Sequence, residues 1–157
     1  MRQTKCTFTA SEGVINHMEY RKFGSRYVVR IDRGEEVLDQ ITKLCEKERI
    51  TTGYAVGLGA ANRVTLGLFD TTEKVYHKTE LTGPMEITSL VGNISTKDGE
   101  TYLHFHINVC NDKMQVMGGH LNECHISATC EITIEKIEGT IERKFSDEIG
   151  LNLYAFV

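Results

Sequence analysis

Polar and apolar residues alternate along most of this chain, and in one stretch they recur instead every three to four positions. In residues 32–49, Val37, Leu38, Ile41, Leu44 and Cys45 fall on a single helical face. Acidic residues crowd the start of that stretch and Lys47 and Arg49 its end, as the helix macrodipole favours. The spacing predicts an amphipathic helix over 32–49. Strand-like runs surround it. Residues 26–31 are β-branched and aromatic, 54–59 are apolar and glycine-rich, and 63–69 alternate; 74–80, 85–94, 101–109 and 125–135 follow, with a short ending at 151–157. Lys97-Asp98-Gly99 signals a tight hairpin between two of them. One main helix against a mostly antiparallel sheet predicts a single α+β domain. A sheet with so little helix to cover it predicts an edge or face hidden in an oligomer.

Composition narrows the class. At 157 residues the chain suits one domain with a real core, and 40% hydrophobic with 25% charged residues is ordinary for a globular protein. A net charge of −4, with no run of Lys and Arg longer than two, argues against a surface built to grip nucleic acid. No apolar stretch approaches the roughly 18 residues of a membrane span, and the first residues lack a signal peptide's apolar centre, so no membrane partner and a cytoplasmic location are expected. The five cysteines, Cys6, Cys45, Cys110, Cys124 and Cys130, are odd in number and form no CxxC pair, so neither a disulfide framework nor a zinc ribbon is indicated. Gly57-Leu58-Gly59-Ala60 lacks the third glycine and the following helix of a dinucleotide loop.

The chemistry concentrates in YLHFHINVCNDKMQVMGGHL, residues 102–121. On a strand, His104 and His106 share a face roughly 7 Å apart, while Leu103, Phe105 and Ile107 take the other. A three-residue loop at 111–113 sets His120 opposite His104 and Gly118 opposite His106, so that all three imidazoles converge; a two-residue loop pairs His120 with Leu103 and turns it away. Three histidines with an open position are the ligand pattern of an accessible zinc site. The same spacing also suits imidazoles on a solvated strand face or in a subunit interface. Glu123 and Asn108 are near enough in sequence to support such a site, and Cys124 is a candidate fourth ligand. Glu123 and Glu86 are general-base candidates by residue type alone. His125 is expected at the surface, and His17 and His77 have no partners in the pattern.

Several segments together resemble the plants-and-prokaryotes conserved (PPC) domain, found alone in bacteria and archaea and behind AT-hooks in plant nuclear proteins. They are Tyr27-Val-Val-Arg-Ile-Asp-Arg-Gly-Glu-Glu-Val-Leu38, Gly57-Leu-Gly-Ala60, Thr65-Leu-Gly-Leu-Phe-Asp70, Met85-Glu-Ile-Thr-Ser-Leu-Val-Gly92, Leu103-His-Phe-His106 and Gly118-Gly-His-Leu121. The resemblance places an N-terminal extension at 1–17 and the domain at 18–157, of the type without an AT-hook. It implies a homotrimer and an architecture shared with acetolactate decarboxylase, a zinc enzyme that holds its metal with an HxH pair and a third histidine. Carried over by motif, His104, His106 and His120 are the expected ligands of zinc or another divalent transition metal, with a small-molecule ligand at the open position. The alternative is a zinc-dependent lyase or hydrolase acting on a small carbonyl or carboxylate compound. The family is widely labelled DNA-binding, yet this chain lacks the Arg-Gly-Arg-Pro core that enters the minor groove, and Arg33-Gly34 starts an acidic stretch. A trimer would carry a charge of about −12, which disfavours phosphate attraction.

Overall fold

The alternating pattern folds into strands much longer than the separate runs suggest. The computed structural model describes residues 11–15 and 18–156. In chain order the elements are β1 (Ser11–Ile15), β2 (Met18–Phe23), β3 (Arg26–Asp32), α1 (Val37–Glu48), β4 (Gly53–Asp70), β5 (Val75–Lys97), β6 (Glu100–Cys110), β7 (Val116–Lys136), β8 (Glu142–Ser146) and β9 (Leu151–Ala155). Strand β4 absorbs the runs 54–59 and 63–69, and β5 absorbs 85–94 and all of 74–80 but Lys74, which lies in the turn before it. The joints in β4 are register shifts between Gly57 and Gly59 and between Ala61 and Arg63. Bulges of this kind bend a strand without ending it.

The bends let the sheet curl. Pairing follows the order β1-β2-β3-β7-β4-β5-β8-β9, with β6 bridging β5 and the start of β7. β4, β5, β6 and β7 therefore close a ring of antiparallel pairings. Between β5 and β6 the predicted hairpin is tight, with Lys97 opposite Glu100 and both Asp98 (φ 54°) and Gly99 (φ 82°) left-handed, as a type I′ turn requires. β8 joins β5 through a parallel pair, Thr96 with Glu142.

Helix α1 lies against β7 and β6 and buries Val37, Ile41, Leu44 and Cys45. It begins at Val37 rather than Asp32, because Gly34 at φ 90° turns the chain first. Glu36 then caps it by accepting from the Asp39 amide at 2.7 Å, and Arg49 ends it at φ 52°. The core continues through Tyr27, Ile31, Ile94, Phe105, Ile107 and Leu121, all at most 2% exposed. Cys45, Cys124 and Cys130 are buried free thiols. Burial pushes the Cys45 thiol up to about 12, the state of a small apolar side chain rather than a nucleophile.

Of the expected N-terminal extension, residues 1–10 and 16–17, including Cys6 and His17, lie outside the described residues. Ser11–Ile15 pairs antiparallel with β2 at the sheet's edge. Among the described residues no helix is long and apolar enough to cross a membrane.

Candidate metal site

β6 and β7 meet where β7 also pairs with β4, and this junction gathers the three histidines. The loop between β6 and β7 has five residues, 111–115, because Cys110 pairs with Val116. The Asn111 side-chain oxygen accepts from the Lys113 and Gln115 amides, both at 3.0 Å, and Met114 takes φ 59°. This corrects the expected register. His120 stands opposite His106, not His104, and Gly118 stands opposite Asn108, not His106. The displacement is an even number of positions, so His120 keeps its face and the convergence survives.

The donor atoms of His104, His106 and His120 lie within 4.8 Å of one another. Ring centroids are 5.2 Å apart for His104 and His106, 5.3 Å for His104 and His120, and 5.5 Å for His106 and His120. The Nε2 atoms of His104 and His106 are 3.3 Å apart. Two nitrogens bound to one tetrahedral zinc at about 2.0–2.1 Å stand about 3.3–3.4 Å from each other, so this pair already has the separation of two ligands. Burial holds the His104 imidazole down to about 4, helped by His120, Arg143 and His106. Burial and His106 likewise lower His120. Both are neutral near pH 7, the form that ligates metal.

Small residues make room for this. A side chain at Gly67, opposite His120, would collide with the Tyr76 hydroxyl and the Asn122 amide. Tyr76 packs edge-on to His120 with centroids 6.2 Å apart, and Asn122 Nδ2 donates to the Tyr76 oxygen at 2.9 Å. A side chain at Gly118 would run into Asn108 and the Ile107 carbonyl.

The other sequence candidates are elsewhere. Cys124 is 0% exposed and its thiol is pushed above the usual range by burial, so it faces the core and is no fourth ligand. It reaches that face through the register shift between Thr65 and Leu66 against β7, which puts Leu121 and Cys124 on one side. Glu123 pairs with Arg63 at 3.1 Å and with His125, whose hydrogen bond holds the carboxyl below its usual range. His125 is half-buried in that cluster rather than free at the surface. Asn108 donates to Ser89 Oγ at 2.9 Å, and Glu86 is exposed opposite Cys110. Neither Glu123 nor Glu86 lines the cavity in front of the histidines. That cavity, about 660 Å³, is instead walled by residues the sequence did not single out, among them Tyr76, Tyr102, Asn122 and Arg143.

The Plants and Prokaryotes Conserved (PCC) domain matches residues 18–138. A crystal structure of a candidate DNA-binding protein from Bacteroides thetaiotaomicron superposes with a TM-score of 0.88 at 32% identity, covering 90% of this chain and 99% of that one. A metal-containing protein from Archaeoglobus fulgidus is 30% identical over 96% of this chain and 99% of its own, with a TM-score of 0.79. At the level of fold alone, a Staphylococcus aureus protein similar to α-acetolactate decarboxylase matches with a TM-score of 0.51 at 9% identity, over 85% of this chain and 71% of that one. The bifunctional protein GlmU of a Synechococcus species is 28% identical over 110 residues, and the matched region spans 16% of its length.

Proposed function

The chain belongs to the Plants and Prokaryotes Conserved domain family, and from that premise we propose that it is a metal-binding member whose His104, His106 and His120 hold zinc or another divalent transition metal with one position open. The observation that carries this reading is the convergence of three imidazoles, two of them neutral near pH 7, in front of a cavity. A metal bound there would polarise a carbonyl or lower the pKa of bound water toward about 7. The chain's own part is to aim the imidazoles by strand pairing, favour the neutral form of His104 and His120 by burial, and wall the open side with Tyr76 and Tyr102. The likeness to the Archaeoglobus protein described as metal-containing supports the reading.

The test is metal analysis of protein purified without a histidine tag. Near-stoichiometric transition metal is expected in the wild type and none in H104A that remains folded. Metal-free wild type from metal-replete medium that also fails to take up added zinc would sink it.

A homotrimer belongs to the same proposal. The outward face carries Val56 (47% exposed), Leu58 (58%) and Val91 (48%), and Val91 pairs with His106. An apolar stripe that runs up to the histidines suits burial by a second copy. Light scattering that returns a monomer at micromolar concentration would remove this part. Direct DNA binding, which the description of the Bacteroides neighbour suggests, is disfavoured by a net charge of −4. Tight, sequence-selective mobility shifts at about 150 mM salt would reinstate it.

The second reading, a zinc-dependent lyase or hydrolase acting on a small carbonyl or carboxylate compound, is favoured by one observation: a ligand-sized cavity opens directly onto the triad. Turnover of such a compound by the zinc-loaded protein, lost in H104A, is the result that reading requires.

A further inference from the structure

The cavity that holds the three histidines also holds a cation that no carboxylate among the described residues pairs with. Arg143, in β8, is only 7% exposed. Its Nε donates to Ser95 Oγ at 2.8 Å and its Nη1 to the Asn152 backbone carbonyl at 2.8 Å. The guanidinium carbon lies 4.7 Å from the centre of the Tyr102 ring and 4.3 Å from that of Tyr154. These contacts fix its orientation, and every one is with a neutral group. They use two of the five N–H donors a guanidinium carries, leaving three, one on Nη1 and both on Nη2, with no hydrogen bond to an acceptor among the described residues. Arg143 lines the same cavity as His104, His106 and His120, and none of the residues lining it is acidic.

Burying a charge without its counter-charge is costly, and proteins ordinarily pair it or leave it in water. Here the fold instead braces the cation with a strand, a serine and two aromatic rings. A metal at the triad would add further positive charge to the same space. The missing partner is therefore an anion, and it has to come from outside the described residues.

We propose that Arg143 is the anion-recognition residue of this cavity: its free guanidinium edge takes the carboxylate of a small organic acid, whose other end reaches the three imidazoles. Only the second half of that statement rests on the metal reading; the guanidinium's need for an anion does not. A carboxylate is planar and offers two oxygens, one to an N–H of Nη2 and one to the N–H left on Nη1. Leu68, Leu151 and Leu153 line the cavity as well, which favours an anion with a short carbon skeleton over bare inorganic phosphate. Arg143 lies beyond residues 18–138, so the family match does not supply it.

The test uses the whole protein loaded with zinc, and in parallel with cobalt for its visible absorption. It is titrated with acetate, pyruvate, malonate and 2-oxoglutarate, with acetamide and pyruvamide as neutral counterparts, and with inorganic phosphate. Binding is read by calorimetry and by the change in the cobalt band. At least one carboxylate should bind about tenfold or more tightly than phosphate and than its amide, where the pair is available. R143Q should lose about tenfold or more of that affinity while keeping its metal content. Should R143Q not fold, R143K keeps the charge without the fork and should bind more weakly than wild type. The proposal is overturned if wild type ignores all four carboxylates, as it would were Arg143 neutralised by an acidic side chain of a second copy. It is overturned equally if phosphate binds as well as any carboxylate, or if the variants bind like wild type. Carboxylate binding that needs Arg143 in a protein that takes up no metal would leave this inference standing and defeat the metal reading alone.

Discussion

Two polar clusters in this molecule are built on opposite principles. At the end of α1, Glu48 accepts from the Tyr20 hydroxyl at 2.7 Å, from the Tyr27 hydroxyl at 3.2 Å and from Lys22 Nζ at 3.4 Å. Its charge is balanced and both oxygens are occupied. The histidine cavity has the reverse arrangement: three imidazoles facing each other, a buried guanidinium with donors to spare, and no carboxylate among its lining residues. A satisfied cluster fixes the fold, since each group's desolvation is repaid within the chain. An unsatisfied one is tolerated where something else completes it. The first joins a helix to two strands; the second is where the proposed ligand would sit.

The comparison breaks most sharply if the clusters are disabled one at a time. Removing a proposed metal ligand, as in H120A, should weaken metal binding by more than about 100-fold, since even groups that only orient ligands are worth about 10–100-fold. Its urea midpoint, measured on metal-free protein, should stay close to that of metal-free wild type. E48A should do the opposite. It leaves the Tyr20 and Tyr27 hydroxyls without their acceptor, which should cost about 1–3 kcal/mol in urea denaturation with metal content unchanged. A shared loss of metal and stability in both variants would mean that the clusters are not separate devices.

A smaller effect tests the strand junction itself. A methyl at Gly118 meets the Asn108 side chain and the Ile107 carbonyl, so G118A must push β6 and β7 apart or displace Asn108. We expect about 1–2 kcal/mol of destabilisation and a measurable weakening of metal affinity, because the junction also sets the distance from His106 to His120. Unchanged metal affinity in G118A would mean that strand spacing does not set the site.

Much of this was readable beforehand, for reasons of period. Strand alternation alone puts His104 and His106 on one face, and Asp98-Gly99 dictates its own turn. The convergence of His120 was legible although its register was not. Loop length depends on how Asn111 bonds to two amides, which spacing does not reveal, but an even shift cannot change the face. The helix start was overextended because Gly34 reads as tolerable in a pattern and acts as a turn in the chain. Arg143 was not legible at all. Glu142-Arg-Lys-Phe-Ser146 looks like a solvated charge run, and the residue becomes buried only because Ser95, 48 positions away, and the Tyr102 ring are waiting for it.

The last difference between the clusters lies in acid. Burial alone would raise the Glu48 carboxyl, but the hydrogen bonds from Tyr20, Lys22 and Tyr27 outweigh it and hold the group below its usual range. A carboxyl whose folded value is depressed binds fewer protons folded than unfolded as the pH falls. Its contribution is complete above the unfolded value of about 4.3 and disappears as the pH drops through the folded one. E48Q cannot titrate and keeps a carbonyl oxygen for one tyrosine. The stability gap between wild type and E48Q should therefore be flat from pH 8 to 5 and shrink below about pH 4.3, read from urea midpoints on metal-free protein. A gap that holds its full size at pH 3 would mean that the charge on Glu48 is not what separates the two proteins. The balanced cluster would then differ from the histidine cavity in hydrogen bonding alone.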